Sequence, residues 1–129
     1  MLFRSEGVLL HLYFDWRWDT TLRQTFIDAI GDEWFVPYRH EIALSSSYAF
    51  HHTDWAIPMW DAVSTVSPRD YGRTPGATPE EVRDLILRNY TWHRENHLGP
   101  SDYFTPERIE SCTDEVAREY TAWRRTIER

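Results

Sequence analysis

The sequence predicts an α+β fold in which a small N-terminal sheet element packs on three to four helices. An apolar run near the N-terminus is typical of a strand, two stretches of the second half carry strong helix signals, and a loop rich in proline and glycine lies between the halves. The apolar run also fits the start of a buried helix, so a mostly α bundle is the alternative.

The strongest helix signals lie between residues 78 and 98. Thr78 and Glu81 have the spacing of a capping box, and Pro79 occupies the first helical position, where its missing N–H costs nothing. Gly99-Pro100 provides a stop, because glycine suits the cap and proline cannot continue the helix. The sequence therefore predicts a helix that reaches Leu98.

The last helix begins with a similar signal, Thr105-Pro106-Glu107. Its apolar stripe consists of Ile109, Cys112, Val116, Tyr120, Trp123 and Ile127. Because a short connection joins this helix to the preceding one, we expect the C-terminal half to form an antiparallel helix pair.

The N-terminal half gives mixed signals. Residues Gly7–Phe14 are predicted as a short apolar strand, and a helix is predicted to end at Gly31. Residues 32–57 show no consistent periodicity, and the serine run at 45–47 is typical of a turn or a helix break.

A further short helix is predicted from Pro58 to Val66. Its inward residues are predicted to be Met59, Ala62, Val63 and Val66. The loop 67–77 then separates the mixed N-terminal half from the helical C-terminal half, and it is too short to link two independent cores. At 129 residues, the chain is predicted to be a single domain, 1–129.

Composition narrows the class of protein. The net charge of −7 argues against a nucleic-acid partner, which requires a basic surface for phosphate. No apolar run approaches the ~20 residues that span a membrane, and the N-terminus does not resemble a signal peptide. The single cysteine excludes an intramolecular disulfide. A cytoplasmic protein without a membrane partner is the expectation.

Aromatic residues make up 16% of the chain, and large rings are the favoured anchors of protein interfaces. With the acidic balance, they predict a small interaction protein: an accessory subunit, an inhibitor or an immunity-type partner of another protein. Homo-oligomers are left open. The predicted binding surface consists of Trp16, Trp18, Trp34, Trp55 and Trp60, with Asp54 and also Asp15, Asp19 and Asp61 at its rim.

The alternative is a small enzyme or ligand-binding domain with a histidine pocket at His51 or His52, His93 and His97. Two histidines four residues apart on one helix face can bind one metal ion, and a third imidazole would complete an open Lewis-acid site. The metal ligands would be His52, His93 and His97. A divalent metal is not expected, and the sequence leaves open whether the protein is an enzyme.

Overall fold

The computed structural model describes residues 2–67 and 76–128, and the protein is all-α. Helices account for 79% of the described residues, and none of these residues lies in a strand. The α+β prediction is therefore wrong, and the mostly α alternative is confirmed. Most of the predicted loop 67–77 falls on residues 68–75, which lie outside the described residues.

The helices follow one another with short connections. The elements are α1 (Leu2–Trp18), a π-helical turn (Asp19–Arg23), α2 (Gln24–Ile30), α3 (Phe35–His52), α4 (Ala56–Ser64), α5 (Pro79–Glu95) and α6 (Pro106–Ile127). The first three are continuous, so a single helical stretch occupies the region where the sequence predicted a strand and a helix.

The chain divides into two compact units. The first unit contains Met1–Glu41 and Asp102–Arg129, and the second contains Ile42–Ser101. In the first unit α6 packs with α1, and in the second α5 packs with α4. The two C-terminal helices, which were predicted to form an antiparallel pair, thus belong to different units.

Helix α1 replaces the predicted strand because its side chains find partners on α6. The ring of Tyr13 lies 5.4 Å from that of Tyr120 and 5.6 Å from that of Trp123. One turn later, Arg17 donates to both carboxylate oxygens of Glu119, at 2.6 and 3.1 Å. Such tertiary contacts override the weak strand preference of a short apolar run.

Aromatic rings form the core of the first unit. Phe26 and Phe104 are fully buried, at 1% and 0% exposure. Around Phe104, ring centroids lie 5.3 Å away at Trp18, 5.6 Å away at Phe26 and 5.8 Å away at Tyr38. These distances and the edge-to-face angle with Tyr38 are those of favourable aromatic pairs.

Helix α3 occupies most of the stretch that the sequence could not resolve. Pro37 is its third residue, in the first turn, where no intrahelical partner is required of its missing N–H. The serines at 45–47 lie within the helix, so the predicted turn or break is wrong. The hydroxyl groups of Ser46 and Ser47 are hydrogen-bonded in the second unit, as described below.

Helix α4 begins two residues earlier than predicted and presents a different face to its unit. Ala56 is buried, and Trp60 packs against the cluster that Ala56 forms with Phe50 and Tyr90. The predicted inward residues Met59, Ala62 and Val66 are instead exposed, whereas Val63 is half-buried. The inward face is thus shifted around the helix axis relative to the prediction.

A cluster of charged and hydrogen-bonded side chains joins α1 to α6 in the first unit. Arg124 donates to both carboxylate oxygens of Glu6, at 2.8 and 2.7 Å, and Tyr120 donates its hydroxyl to the same carboxylate. The hydrogen bond from Arg124 is the main cause that lowers the pKa of Glu6, and the hydrogen bond from Tyr120 is the second. Burial is the main cause that raises the pKa of Tyr120, and its hydrogen bond to Glu6 is the second.

This cluster predicts a pH-dependent stability. A carboxyl group whose pKa is lowered by folding stabilises the folded state above its unfolded pKa, and this stabilisation is lost as the pH falls below about 4. Replacing Glu6 by Gln should therefore lower the urea midpoint at pH 7 and have a smaller effect at pH 3. The control is Glu128→Gln, because Glu128 reaches Arg124 only at 3.4 Å and is more exposed. If Glu6→Gln lowered the urea midpoint equally at pH 7 and at pH 3, the stabilising role of the ionised Glu6 carboxylate would be contradicted.

Candidate functional site

Two of the five tryptophans predicted to form a binding surface are strongly exposed. Trp16 in the first unit and Trp55 in the second expose 57% and 61% of their surface. Trp18, Trp34 and Trp60 are half-buried. The predicted residues are thus divided between the two units, and they include both exposed and half-buried side chains.

The half-buried tryptophans pack within their units. Trp18 donates its indole N–H to the hydroxyl of Tyr38 at 2.7 Å, and the ring of Trp34 lies 5.5 Å from that of Tyr38. Trp60 stacks on Tyr90 at 5.8 Å with the two planes nearly parallel. These contacts account for three of the predicted surface residues as packing residues.

The outer face of α4 is apolar and exposed. Trp55, Pro58, Met59 and Ala62 follow the spacing i, i+3, i+4 and i+7, so they lie along one side of this helix. All four are exposed, whereas Ala56 on another side is buried. Helix α4 therefore carries apolar residues toward its unit and also toward solvent. We call these four residues the α4 stripe.

Two exposed carboxylates accompany the α4 stripe. Asp54 directly precedes it, and Asp61 lies within α4. Tyr90 donates its hydroxyl to Asp61, and this hydrogen bond, together with burial, raises the pKa of Tyr90. The segment thus combines an apolar stripe with negative charge.

The histidines of α5 do not form the predicted helix-face pair. Helix α5 ends at Glu95, and the backbone at Asn96 is extended, with φ −108° and ψ 126°. His97 therefore leaves the helix axis, and its ring stacks on that of His51 at 3.8 Å. The end predicted at Leu98 is three residues too late, and the i, i+4 geometry on which the metal hypothesis depends is lost.

Side chains of α3 bind the carbonyl groups at the end of α5. His51 donates its Nε2–H to the carbonyl oxygens of His93 and Asn96, at 2.8 and 2.9 Å. Ser47 donates to the Asn96 carbonyl at 2.7 Å and accepts from the Leu98 N–H at 2.9 Å. These bonds satisfy carbonyl groups that a helix C-terminus leaves without partners, which explains why α5 stops here.

The structure does not assemble His52, His93 and His97 as a metal-ligand set. His52 bonds through Nδ1 to the carbonyl of Tyr48 at 2.8 Å and stacks on the Tyr48 ring, exposed to solvent. Within residues 2–67 and 76–128, no group of three or more His, Cys, Asp or Glu side chains could hold a metal ion.

His93 is instead paired with Ser46, a residue that the sequence analysis did not single out. The Ser46 hydroxyl lies 2.7 Å from Nε2 of His93, and Nδ1 of the same ring lies 2.7 Å from the carbonyl oxygen of Asn89. Both side chains are half-buried. A helical assignment for the serine run would have indicated this face, because Ser46 and Phe50, like Ser47 and His51, are four residues apart.

The first unit contains a cleft of about 360 Å³ beside the π-helical turn, lined in part by Arg17, Thr21 and Cys112. The charge of Arg17 is already engaged by Glu119. Burial is the main cause that raises the pKa of the Cys112 thiol, which agrees with a packing role and disfavours the reactive thiolate.

Comparison with protein-family models, curated proteins and solved structures finds no match for this chain. Among the helices that the structure describes, none is both long enough and apolar enough to cross a membrane. The second unit carries two candidate sites, the α4 stripe and the Ser46–His93 pair.

Proposed function

We propose that the protein is a small acidic interaction protein and that it binds a basic amphipathic helix of another protein through the α4 stripe. The observation that carries the proposal is the exposed face formed by Trp55, Pro58, Met59 and Ala62. An accessory subunit, an inhibitor and an immunity-type protein all require such a surface.

The exposure of the α4 stripe supports this function because it opposes the hydrophobic effect. Trp55 and Met59 expose 61% and 43% of their surface, and burial of apolar area contributes roughly 25 cal/mol per Å². A helix that is apolar on two sides can bury its second side only against a partner. Tryptophan is also among the residues most enriched at binding hot spots.

Charge complementarity supports a basic partner. Asp54 and Asp61 lie in the same segment as the stripe, and the chain carries a net charge of −7. An amphipathic helix that places leucines on the stripe and lysines or arginines beside these carboxylates would satisfy both features. A second copy of this chain would instead bring acidic segments together.

The test uses two synthetic helical peptides with the same leucine pattern, one with lysine and one with glutamate at the polar positions. Isothermal titration should detect binding of the lysine peptide and not of the glutamate peptide. Trp55→Ala should weaken binding by about 2 kcal/mol, which is roughly a 30-fold increase in Kd, because the stripe loses its largest apolar side chain.

Trp16→Ala is the matched control, because Trp16 is similarly exposed but belongs to the first unit. It should leave the Kd unchanged. Equal binding of both peptides, or a loss in Trp16→Ala and not in Trp55→Ala, would contradict the proposal. Sedimentation of the protein alone tests whether a second copy of this chain occupies the stripe. Self-association that Trp55→Ala abolishes would assign the stripe to that second copy and contradict the proposal.

A further inference from the structure

Three groups in the second unit have the arrangement of an activated nucleophile. The Asn89 carbonyl can only accept a hydrogen bond, so Nδ1 of His93, 2.7 Å away, carries the proton. In the neutral ring Nε2 is then the acceptor, and the Ser46 hydroxyl at 2.7 Å donates to it. A hydroxyl, a base and a group that orients the base are the parts required for nucleophilic catalysis by serine.

The neighbouring serine shows what a purely structural hydroxyl looks like in this helix. Ser47 is fully buried, donates to the Asn96 carbonyl and accepts from the Leu98 N–H, so its hydroxyl closes a backbone connection. Ser46 keeps exposed surface, and the partner of its hydroxyl is an imidazole. The two adjacent hydroxyl groups therefore have different partners, which are backbone groups for Ser47 and an imidazole for Ser46.

The surroundings of His93 are aromatic. Its ring centroid lies 4.9 Å from that of Trp92, 5.3 Å from that of Phe50 and 5.6 Å from that of Trp60. The buried ring of Phe50 holds the imidazole in place, while Trp92 and Trp60 keep exposed surface that a planar apolar group can contact. They favour an apolar or aromatic acyl compound over a charged one.

We propose that Ser46 is a nucleophile, activated by His93, that accepts acyl groups from apolar carboxylic esters. Ser46 Oγ forms a bond to the carbonyl carbon, the ester C–O bond breaks, and the serine proton passes through Nε2 of His93 to the leaving alkoxide. Water then attacks the acyl-serine by the same route, releasing the acid and restoring the hydroxyl. This activity is independent of the peptide-binding surface at Trp55.

A fluorophosphonate is the probe, because it reports the nucleophile as a stable adduct. The Ser46 oxygen bonds to phosphorus, fluoride leaves, and the proton remains on His93. Peptide mass spectrometry of the folded wild-type protein should locate the adduct on Ser46, and urea-denatured protein should not react. Ser46→Ala should abolish the adduct, and His93→Gln should slow its formation by about 100-fold or more.

Ser45→Ala is the matched control from the same serine run and should react at the wild-type rate. The proposal is overturned if folded wild-type protein gives no adduct on Ser46, if denatured protein reacts equally well, or if His93→Gln reacts at the wild-type rate. The comparison of folded with denatured wild-type protein decides the question even where a variant does not fold, with helical circular dichroism as the check.

Discussion

Replacing Phe104 by Ala should destabilise the first unit by about 3–5 kcal/mol, the range for removing a buried aromatic ring. Phe104 is completely buried and lies among the rings of Trp18, Phe26 and Tyr38. Its removal forfeits the transfer free energy of a large side chain and leaves a cavity between rigid rings that cannot collapse to fill it. Urea unfolding followed by circular dichroism measures the loss.

The control for this substitution is Phe35→Ala in the same unit. Phe35 exposes 55% of its surface at the start of α3, so its removal should cost about 0.5 kcal/mol or less. A comparable loss in the two variants would mean that Phe104 does not lie in the core of this unit.

The second large effect is expected at Gly99. Its φ of +89° is disfavoured for residues with a side chain, at a cost of about 1–3 kcal/mol. An added Cβ would also lie 2.5 Å from the carbonyl oxygen of Leu44 and 2.8 Å from Cβ of Tyr48, both on α3. Because a backbone carbonyl cannot move aside easily, Gly99→Ala should cost a further ~1–3 kcal/mol through overpacking.

Gly76→Ala separates the two causes. Gly76 has a φ of +91° in the same unit, and an added Cβ would meet no atom within 4 Å. The urea midpoint should therefore fall for both variants and fall further for Gly99→Ala. If the two variants unfold at the same midpoint, the close approach of Gly99 to α3 contributes nothing.

The helix starts that local chemistry determines could be predicted from the sequence. The capping box of Thr78 and Glu81 is present, and α5 and α6 begin at Pro79 and Pro106 as predicted. Each helix-start signal lies within four residues of the sequence, because the capping residue satisfies N–H groups of the first helical turn. Gly31 likewise ends α2, with a positive φ and a bond from its N–H to the Ile27 carbonyl.

The strand predicted at Gly7–Phe14 shows where local pattern is insufficient. Val8 and Leu12 remain 60% and 59% exposed on α1, so apolar character did not indicate the buried side of this segment. What holds α1 in place is its contact with residues more than 100 positions away, such as Glu6 with Arg124. A single sequence gives no indication of such pairs.

The candidate site was predictable only in part. His93 and His51 were selected, and both lie in the region where α3 meets the end of α5. The pairing of His93 with Ser46 required knowing that the serine run is helical, and the departure of His97 required knowing that α5 stops at Glu95. That stop depends on hydroxyl and imidazole donors from another helix, which no capping signal within α5 indicates.

The π-helical turn at Asp19–Arg23 sets the rotational phase between α1 and α2. A π-helical turn contains one residue more than an α-helical turn, and each added residue rotates the following chain by about 100°. The turn therefore lets Tyr13 face α6 while Phe26, in the same continuous helical stretch, reaches the core. The π-helical turn thus accommodates one extra residue inside a helical stretch. In a regular α-helix, the same insertion would rotate one of these two rings toward solvent.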